Sequence, residues 1–210
     1  MNTAPHDHVV DLETAIEFVN TREQVKGEPF DHFSSTAEAL DWLQLHGLIH
    51  HGSSEVGAAD EAALRRIRRT RAALRELADA TYEDRAPDAR AIAEVNRALR
   101  ARQVIELVPS VDGCRLDHRH VGDPVDGALA NLVDPIVREI AAGRPERLRA
   151  CASETCQWIF YDDSRTGRRR WCDMASCGNR AKAARHRARA KAADESVGQP
   201  GGLPTPRLVR

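Results

Sequence analysis

Apolar residues recur at three- and four-residue spacing through the first two-thirds of the chain, the spacing that gathers side chains on one face of a helix. Ala15, Ile16, Phe18 and Val19 predict a first helix. Thr36 to His46 predicts a second, with Leu40, Trp42 and Leu43 on its apolar side and Gly47 ending it. The longest runs from about Ala58 to Tyr82, where Leu64, Ile67, Ala72, Leu74, Leu77 and Ala78 recur and Arg65, Arg66, Arg68, Arg69, Arg71 and Arg75 lie between them. Pro87 opens a helix that reaches Leu99, proline being tolerated in a first turn, and Asp134-Pro135 interrupts or starts another that runs towards Ala142. A strand pair is predicted at Gln103 to Val108 and Cys114 to His118, joined across residues 109–113 with Asp112-Gly113 as the turn signal.

The pattern changes at Gly143-Arg144-Pro145, a natural joint. Beyond it apolar residues are sparse. Trp158-Ile159-Phe160-Tyr161 is an aromatic, β-prone run, followed by a polar turn at Asp162-Asp163-Ser164 and a second approach from Arg168 to Trp171. This reads as a hairpin whose rings form a small core of their own.

Four of the five cysteines fall in the same segment. Cys151 and Cys156, then Cys172 and Cys177, make two C-x4-C pairs separated by fifteen residues. Each pair can set two thiolates on one tight turn, and two such turns complete a tetrahedral Zn2+ site. Four thiolates leave no open position for water or substrate, so the metal is expected to be structural and the compartment reducing.

From Asn179 to Ala193 the chain is alanine and basic residues almost throughout, a helix by propensity with no side to bury. At 100° per residue Arg180, Arg187 and Lys191 share one stripe, and Lys182, Arg185 and Arg189 the opposite one. Such a helix fits a groove lined by phosphates better than its own protein core. Arg165, Arg168, Arg169 and Arg170, around the polar turn, extend the basic surface. Gly178 is expected to supply a backbone conformation closed to other residues, Asn179 to cap the basic helix, and Arg180 either to touch phosphate or to brace the zinc knuckle.

The overall formal charge of −1 conceals two opposed segments. Residues 1–143 hold 16 Lys and Arg against 25 Asp and Glu, a net of −9, whereas residues 144–191 hold 13 against 5, a net of +8. An acidic body carrying a basic module points to nucleic acid as partner of the second. The arginines between 65 and 75 are expected to be solvated or paired, because acidic residues flank them.

The motifs Cys151-Ala-Ser-Glu-Thr-Cys156, Trp158-Ile-Phe-Tyr-Asp162, Ser164-Arg165, Arg169-Arg170-Trp171-Cys172, Met174 and Cys177-Gly-Asn-Arg180 resemble the CGNR zinc finger of bacterial regulators. In that family the finger follows a helical domain called ABATE, and the proteins are described as stress-induced transcription regulators. Phe18-Val-Asn-Thr21, Leu40-Asp-Trp-Leu43 with Gly47-Leu48, Leu107-Val-Pro109 and Asp134-Pro135 are similar to that domain in order. The resemblance covers roughly residues 9–192 and implies a transcription regulator.

The expected fold is mainly α with a small β-hairpin: a helical domain at 1–143, a treble-clef-like zinc finger with its basic helix at 144–193, and a disordered Gly- and Pro-rich tail at 194–210. The expected function is duplex DNA binding by the finger, with the body sensing a small-molecule effector or forming a homodimer. The alternative is a zinc-stabilised interaction protein whose basic helix binds RNA or an acidic protein. No apolar run is long enough to span a membrane and no secretory signal is visible, so a cytoplasmic location is expected. No nucleophile elbow, P-loop or dinucleotide fingerprint occurs, which argues against an enzyme. His118 and His120 near Asp117 and Asp123, and the pair His50-His51, match no ligand spacing, and Cys114 is expected to be a small buried residue.

Overall fold

The computed structural model describes residues 10–49, 60–101 and 103–197; the pair His50-His51 lies outside them, as does the tail from residue 198. Six α-helices are present in this part of the chain: α1 (Leu12–Asn20), α2 (Thr36–Leu45), α3 (Glu61–Tyr82), α4 (Ala89–Leu99), α5 (Pro124–Ala141) and α6 (Asn179–Val197). Three antiparallel strand pairs interleave with them: β1 (Arg22–Val25) with β2 (Glu28–Asp31), β3 (Gln103–Ser110) with β4 (Gly113–His120), and β5 (Leu148–Ala150) with β6 (Ile159–Tyr161). The fold is therefore mainly helical with small hairpins, as the sequence pattern indicates. The described chain falls into two compact units that divide after Cys172.

In the first unit each helix starts on a side-chain cap. Asp11, Asp60, Asp88 and Asp123 accept from first-turn N–H groups of α1, α3, α4 and α5, and Ser35 with Glu38 forms a reciprocal capping box at α2. Helix α3 is the centre, packed against α1, α2, α4 and α5. Phe18, Leu43, Ile67, Leu74, Leu129 and Leu132 are fully buried around it. No helix among the described residues is long and apolar enough to cross a membrane.

Three features depart from the sequence reading. Helix α5 starts at Pro124 on the Asp123 cap, and Pro135 sits inside it. A proline in a helix interior costs about 3 kcal/mol, but Leu132, Val133 and Ile136 beside it are buried to within 1% and offset that cost. Hairpin β1–β2 has no counterpart in the apolar pattern; it is made by its turn, where Lys26 and Gly27 take φ of 56° and 92° as a primed two-residue turn requires. Strand β3 runs two residues and β4 one residue closer to their turn than predicted, with Pro109 opposite Cys114, and Cys114 is exposed instead of buried.

The arginines of α3 are spent inside the body. Arg71, 3% exposed, donates to both oxygens of Asp31 at 2.8 and 2.6 Å and to Thr21 Oγ1 at 2.9 Å, with its guanidinium 5.1 Å from the centre of the Phe33 ring. Arg66 pairs with Asp123, Arg68 Nε donates to the Phe33 carbonyl at 3.0 Å, Arg69 lies 3.8 Å from Glu94, and Arg75 lies 2.8 Å from Asp79. Burial alone would raise the Asp31 carboxyl; the Arg71 guanidinium and the Phe33 N–H outweigh it and hold the group below its usual range.

Replacing Asp31 by alanine leaves Arg71 buried without its carboxylate and should cost about 3–5 kcal/mol in urea denaturation at pH 7. Because the folded pKa of Asp31 is depressed, its contribution is present above the unfolded value near about 4 and is lost as pH falls through the folded value. The gap between wild type and Asp31→Ala should accordingly narrow as pH falls below about 5.

Candidate metal centre and basic helix

Strand β6 pairs with β5, Ile159 facing Ala150 and Tyr161 facing Leu148. The segment Arg168–Trp171, expected as the partner of the aromatic run, is not a strand. The reason is burial: Leu148 is fully buried and Ile159 1% exposed, both within the same core as Phe18, Leu74 and Leu129. Three of the four residues from Arg168 to Trp171 are arginines, and Trp171 stays half-buried with the Arg170 guanidinium over its ring. Nor do the rings form a separate core. Trp158 is 39% exposed and its Nε1 donates to Glu23 at 2.8 Å, and the Tyr161 hydroxyl donates to Glu139 at 2.9 Å. The turn after β6 is organised by Asp162, fully buried, which accepts from the Ser164 hydroxyl at 2.6 Å, the Ser164 N–H at 3.1 Å and the Arg169 N–H at 2.7 Å.

Between β5 and β6 the chain forms a knuckle. Cys151 N–H donates to the Trp158 carbonyl at 2.8 Å, and the N–H groups of Cys156 and Gln157 both reach the Ser153 carbonyl, at 2.9 and 3.1 Å. Gln157 takes a left-handed φ of 57° to close it. The Sγ atoms of Cys151, Cys156, Cys172 and Cys177 all lie within 4.8 Å of one another. A tetrahedral ion with bonds of about 2.3 Å holds its sulfurs about 3.8 Å apart. Cys156 and Cys172 stand at 3.7 Å, far beyond the roughly 2.05 Å of a disulfide, so the donor set and its spacing fit a tetrahedral metal ion. Burial pushes the Cys172 thiol well above its usual range, and the neighbouring Cys156 and Cys151 push it further. A cation at the centre reverses that preference by favouring thiolates.

In the second unit Asp173 accepts from the N–H groups of Ala175 and Ser176, at 3.1 and 2.8 Å, and starts a π turn at Met174–Gly178 closed by Gly178 N–H to the Asp173 carbonyl at 3.1 Å. The turn carries Cys177, 2% exposed, and runs into α6. Asp173 therefore does the capping expected of Asn179, whose own side chain donates back to the Ala175 carbonyl at 3.0 Å from inside the helix. Gly178 does not take a left-handed φ. Arg180 Nη2 lies 3.0 Å from Cys177 Sγ, a contact suited to bracing the knuckle. Helix α6 continues to Val197, past the expected end at residue 193, since no helix breaker occurs before Gly198.

The sequence model of ABATE, described as "Putative stress-induced transcription regulator", matches residues 12–144, more than half of the chain. The chain belongs to the ABATE family. A second model, the CGNR zinc finger, matches residues 147–190 and so spans all four clustered cysteines. Among curated proteins none matches.

Within the CGNR segment the predicted basic residues divide by role. Arg169 is internal to the finger: its Nη1 meets Asp163 at 3.0 Å, its Nη2 the Cys172 carbonyl at 2.8 Å, and its guanidinium lies 5.2 Å from the Phe160 ring centre. Arg170 lies over Trp171 at 5.3 Å. Arg165 and Arg168 are exposed, as are Lys182, Arg185, Arg187, Arg189 and Lys191 on α6. Arg147 and Arg149, outside the predicted set, are structural; Arg147 Nη1 donates to the Asp162 carbonyl at 2.8 Å and Arg149 Nη1 to the Gly167 carbonyl at 2.9 Å. Asp162 is legible in sequence only as part of the polar turn, and Asp173 has no place in the sequence reading. The spacing Asp173-x-x-Ser176 ahead of the last cysteine was the available signal for the second.

Two neighbouring arginines should therefore behave differently. Arg169→Ala should lower finger stability by about 1–2 kcal/mol through lost charged hydrogen bonds, whereas Arg168→Ala should change it by under about 0.5 kcal/mol. Thermal melts of the metal-loaded variants, followed through tryptophan fluorescence, measure the difference.

Proposed function

We propose that the protein is a non-enzymatic, cytoplasmic transcription regulator that binds duplex DNA through α6, with zinc on Cys151, Cys156, Cys172 and Cys177 and the ABATE body as its sensing or dimerising module. Bound there, zinc supplies four thiolate bonds and no open position, which is a structural role. The division of labour between residues 1–143, 144–193 and the tail from 194 belongs to this reading. So does a small-molecule effector of the body.

The observation that supports DNA binding most directly is the exposure of α6. Every residue from Lys182 to Ala192 is exposed, and Lys182, Arg185, Arg187 and Arg189 meet no carboxylate among the described residues. Lys182, Arg185, His186 and Arg189 line one depression along the helix, and Arg187 and Lys191 lie on the opposite stripe. Cations on two sides of one helix repel each other, and a polyanion relieves the repulsion. A major groove offers phosphates on both walls.

Purified protein should carry one zinc per chain by elemental analysis. With roughly six phosphate contacts, log affinity for duplex DNA should fall against log salt with a slope near about −5, and each phosphate-contacting arginine changed to alanine should reduce that slope by about 1. Both Arg187→Ala/Lys191→Ala and Lys182→Ala/Arg185→Ala/Arg189→Ala should weaken binding at several salt concentrations. Unchanged affinity in both variants would sink the DNA reading of α6, and preference for structured RNA over duplex DNA would transfer the helix to an RNA partner.

A further inference from the structure

Asn20 ends α1, is 6% exposed, and makes its side-chain hydrogen bonds to a residue 139 positions away. Its Nδ2 donates to the Ile159 carbonyl at 2.8 Å, and its Oδ1 accepts from the Ile159 N–H at 2.9 Å. One carboxamide thus stands in for a neighbouring strand along the edge of β6 that faces away from β5. It satisfies both backbone groups of a residue that is itself buried.

The position of that clamp matters because of what adjoins it. Ile159 faces Ala150, and the residues following and preceding them, Cys151 and Trp158, are tied by the bond from the Cys151 N–H to the Trp158 carbonyl. Cys156 lies just upstream, across Gln157, whose left-handed backbone is unfavourable for a residue with a Cβ. A knuckle containing such a residue keeps its shape only if its two ends are held. Ala150 is held through β5, where Leu148 is buried in the body core, and Trp158-Ile159 is held by Glu23 and Asn20. Glu23 is itself fixed by His32, whose Nε2 is 2.8 Å from its other oxygen. Asn20 belongs to the Phe18-Val-Asn-Thr21 motif; Phe18 is core and Thr21 receives Arg71, which leaves the asparagine as the residue of that motif aimed at the finger.

We propose that Asn20 is a positioning residue for the metal centre, fixing β6 on the ABATE body so that Cys151 and Cys156 stand at ligand spacing before the metal arrives. The inference rests on the metal reading of the four cysteines. Its physical content is preorganisation: a knuckle already shaped by the body loses less freedom when the ion binds, so affinity rises without any new bond to the ion.

The test uses the full chain. Zinc affinity is measured by competition with a chromophoric chelator, and the tetrahedral thiolate bands of the cobalt-loaded protein report the geometry. Asn20→Ala should bind zinc about 10–100-fold more weakly, in the range found for residues that orient ligands, and should give weakened or shifted cobalt bands. Leu43→Ala, a cavity at a fully buried position of α2, controls for general destabilisation and should stay within about 3-fold of wild type, a margin below the effect sought. If Asn20→Ala does not fold, Asn20→Asp takes its place; it still accepts from the Ile159 N–H but sets a carboxylate against the Ile159 carbonyl, and the same loss is expected. Zinc affinity within about 3-fold of wild type in a folded Asn20 variant, or an equal loss in Leu43→Ala, overturns the proposal, since orienting residues have larger effects. Wild-type protein that takes up neither zinc nor cobalt overturns the metal reading and this inference with it, whereas wild-type uptake with unaltered Asn20 variants overturns this inference alone.

Discussion

A strand of three residues does not hold itself in water, and β5 and β6 are each three residues long. Burial keeps them in place. Leu148 and Ile159 enter the core built by α1, α3 and α5, and two fully buried aliphatic side chains contribute about 3–6 kcal/mol. That gain is available only if the backbone carried inside with them finds hydrogen-bond partners, which β5, β6 and the Asn20 carboxamide supply to one another. The shape of the Cys151–Cys156 knuckle follows, because both of its ends are anchored by the same burial.

Arginine serves opposite ends in α3 and α6, and the neighbours decide which. On α3 the carboxylates of Asp31, Glu94, Asp79 and Asp123 lie within reach, so the positive charge is absorbed into packing. Buried pairs of this kind contribute little net stability, yet removing one partner is costly, which makes them restrictive of shape. On α6 no Asp or Glu lies between Asp173 and Asp194, and charge of one sign accumulates along the helix. Residue type alone does not separate the two cases. The flanking acidic residues do, and they are visible in the sequence.

What else was visible divides along the same line between local and distant causes. Most helix positions, a tight turn beside Asp112-Gly113 and the four-cysteine spacing are written in short windows, through periodicity, turn chemistry and ligand spacing, and the structure has them. The turn itself is Val111-Asp112, with Gly113 already in β4. Helix α5 was half missed because Pro135 was read as a boundary, although Asp123-Pro124 is a stronger start signal. The β5–β6 pairing was misassigned for a different reason. Nothing local marks Leu148 as the partner of Tyr161, and the choice over Arg168–Trp171 is made by a core assembled from residues more than a hundred positions upstream. Asn20 is illegible on the same ground, since its partner is 139 residues away and its type is equally suited to a helix end. Among the predicted basic residues, Arg169 was legible as a finger residue but not as a structural one, because a guanidinium bound to a carbonyl looks in sequence like one bound to phosphate.

These contacts give a physical reason for ABATE and CGNR sequences to share one chain. The CGNR match begins at residue 147, and within four positions the chain reaches Leu148 and Cys151, one filling the ABATE core and the other joining the sulfur cluster. Charged and polar residues dominate what remains of the finger up to Cys172, with Phe160 its strongly buried ring and Arg169 stacked on it. A segment so composed gains too little from its own apolar contacts to offset the conformational entropy of ordering about 25 residues. Small modules in this position are usually closed by metal alone. Here the body shares the task, supplying the core that β5 and β6 lack and the polar partners their backbone needs. A change in the packing of α1 or α3 is therefore transmitted to the strands beside Cys151 and Cys156, with no separate linker required to carry it.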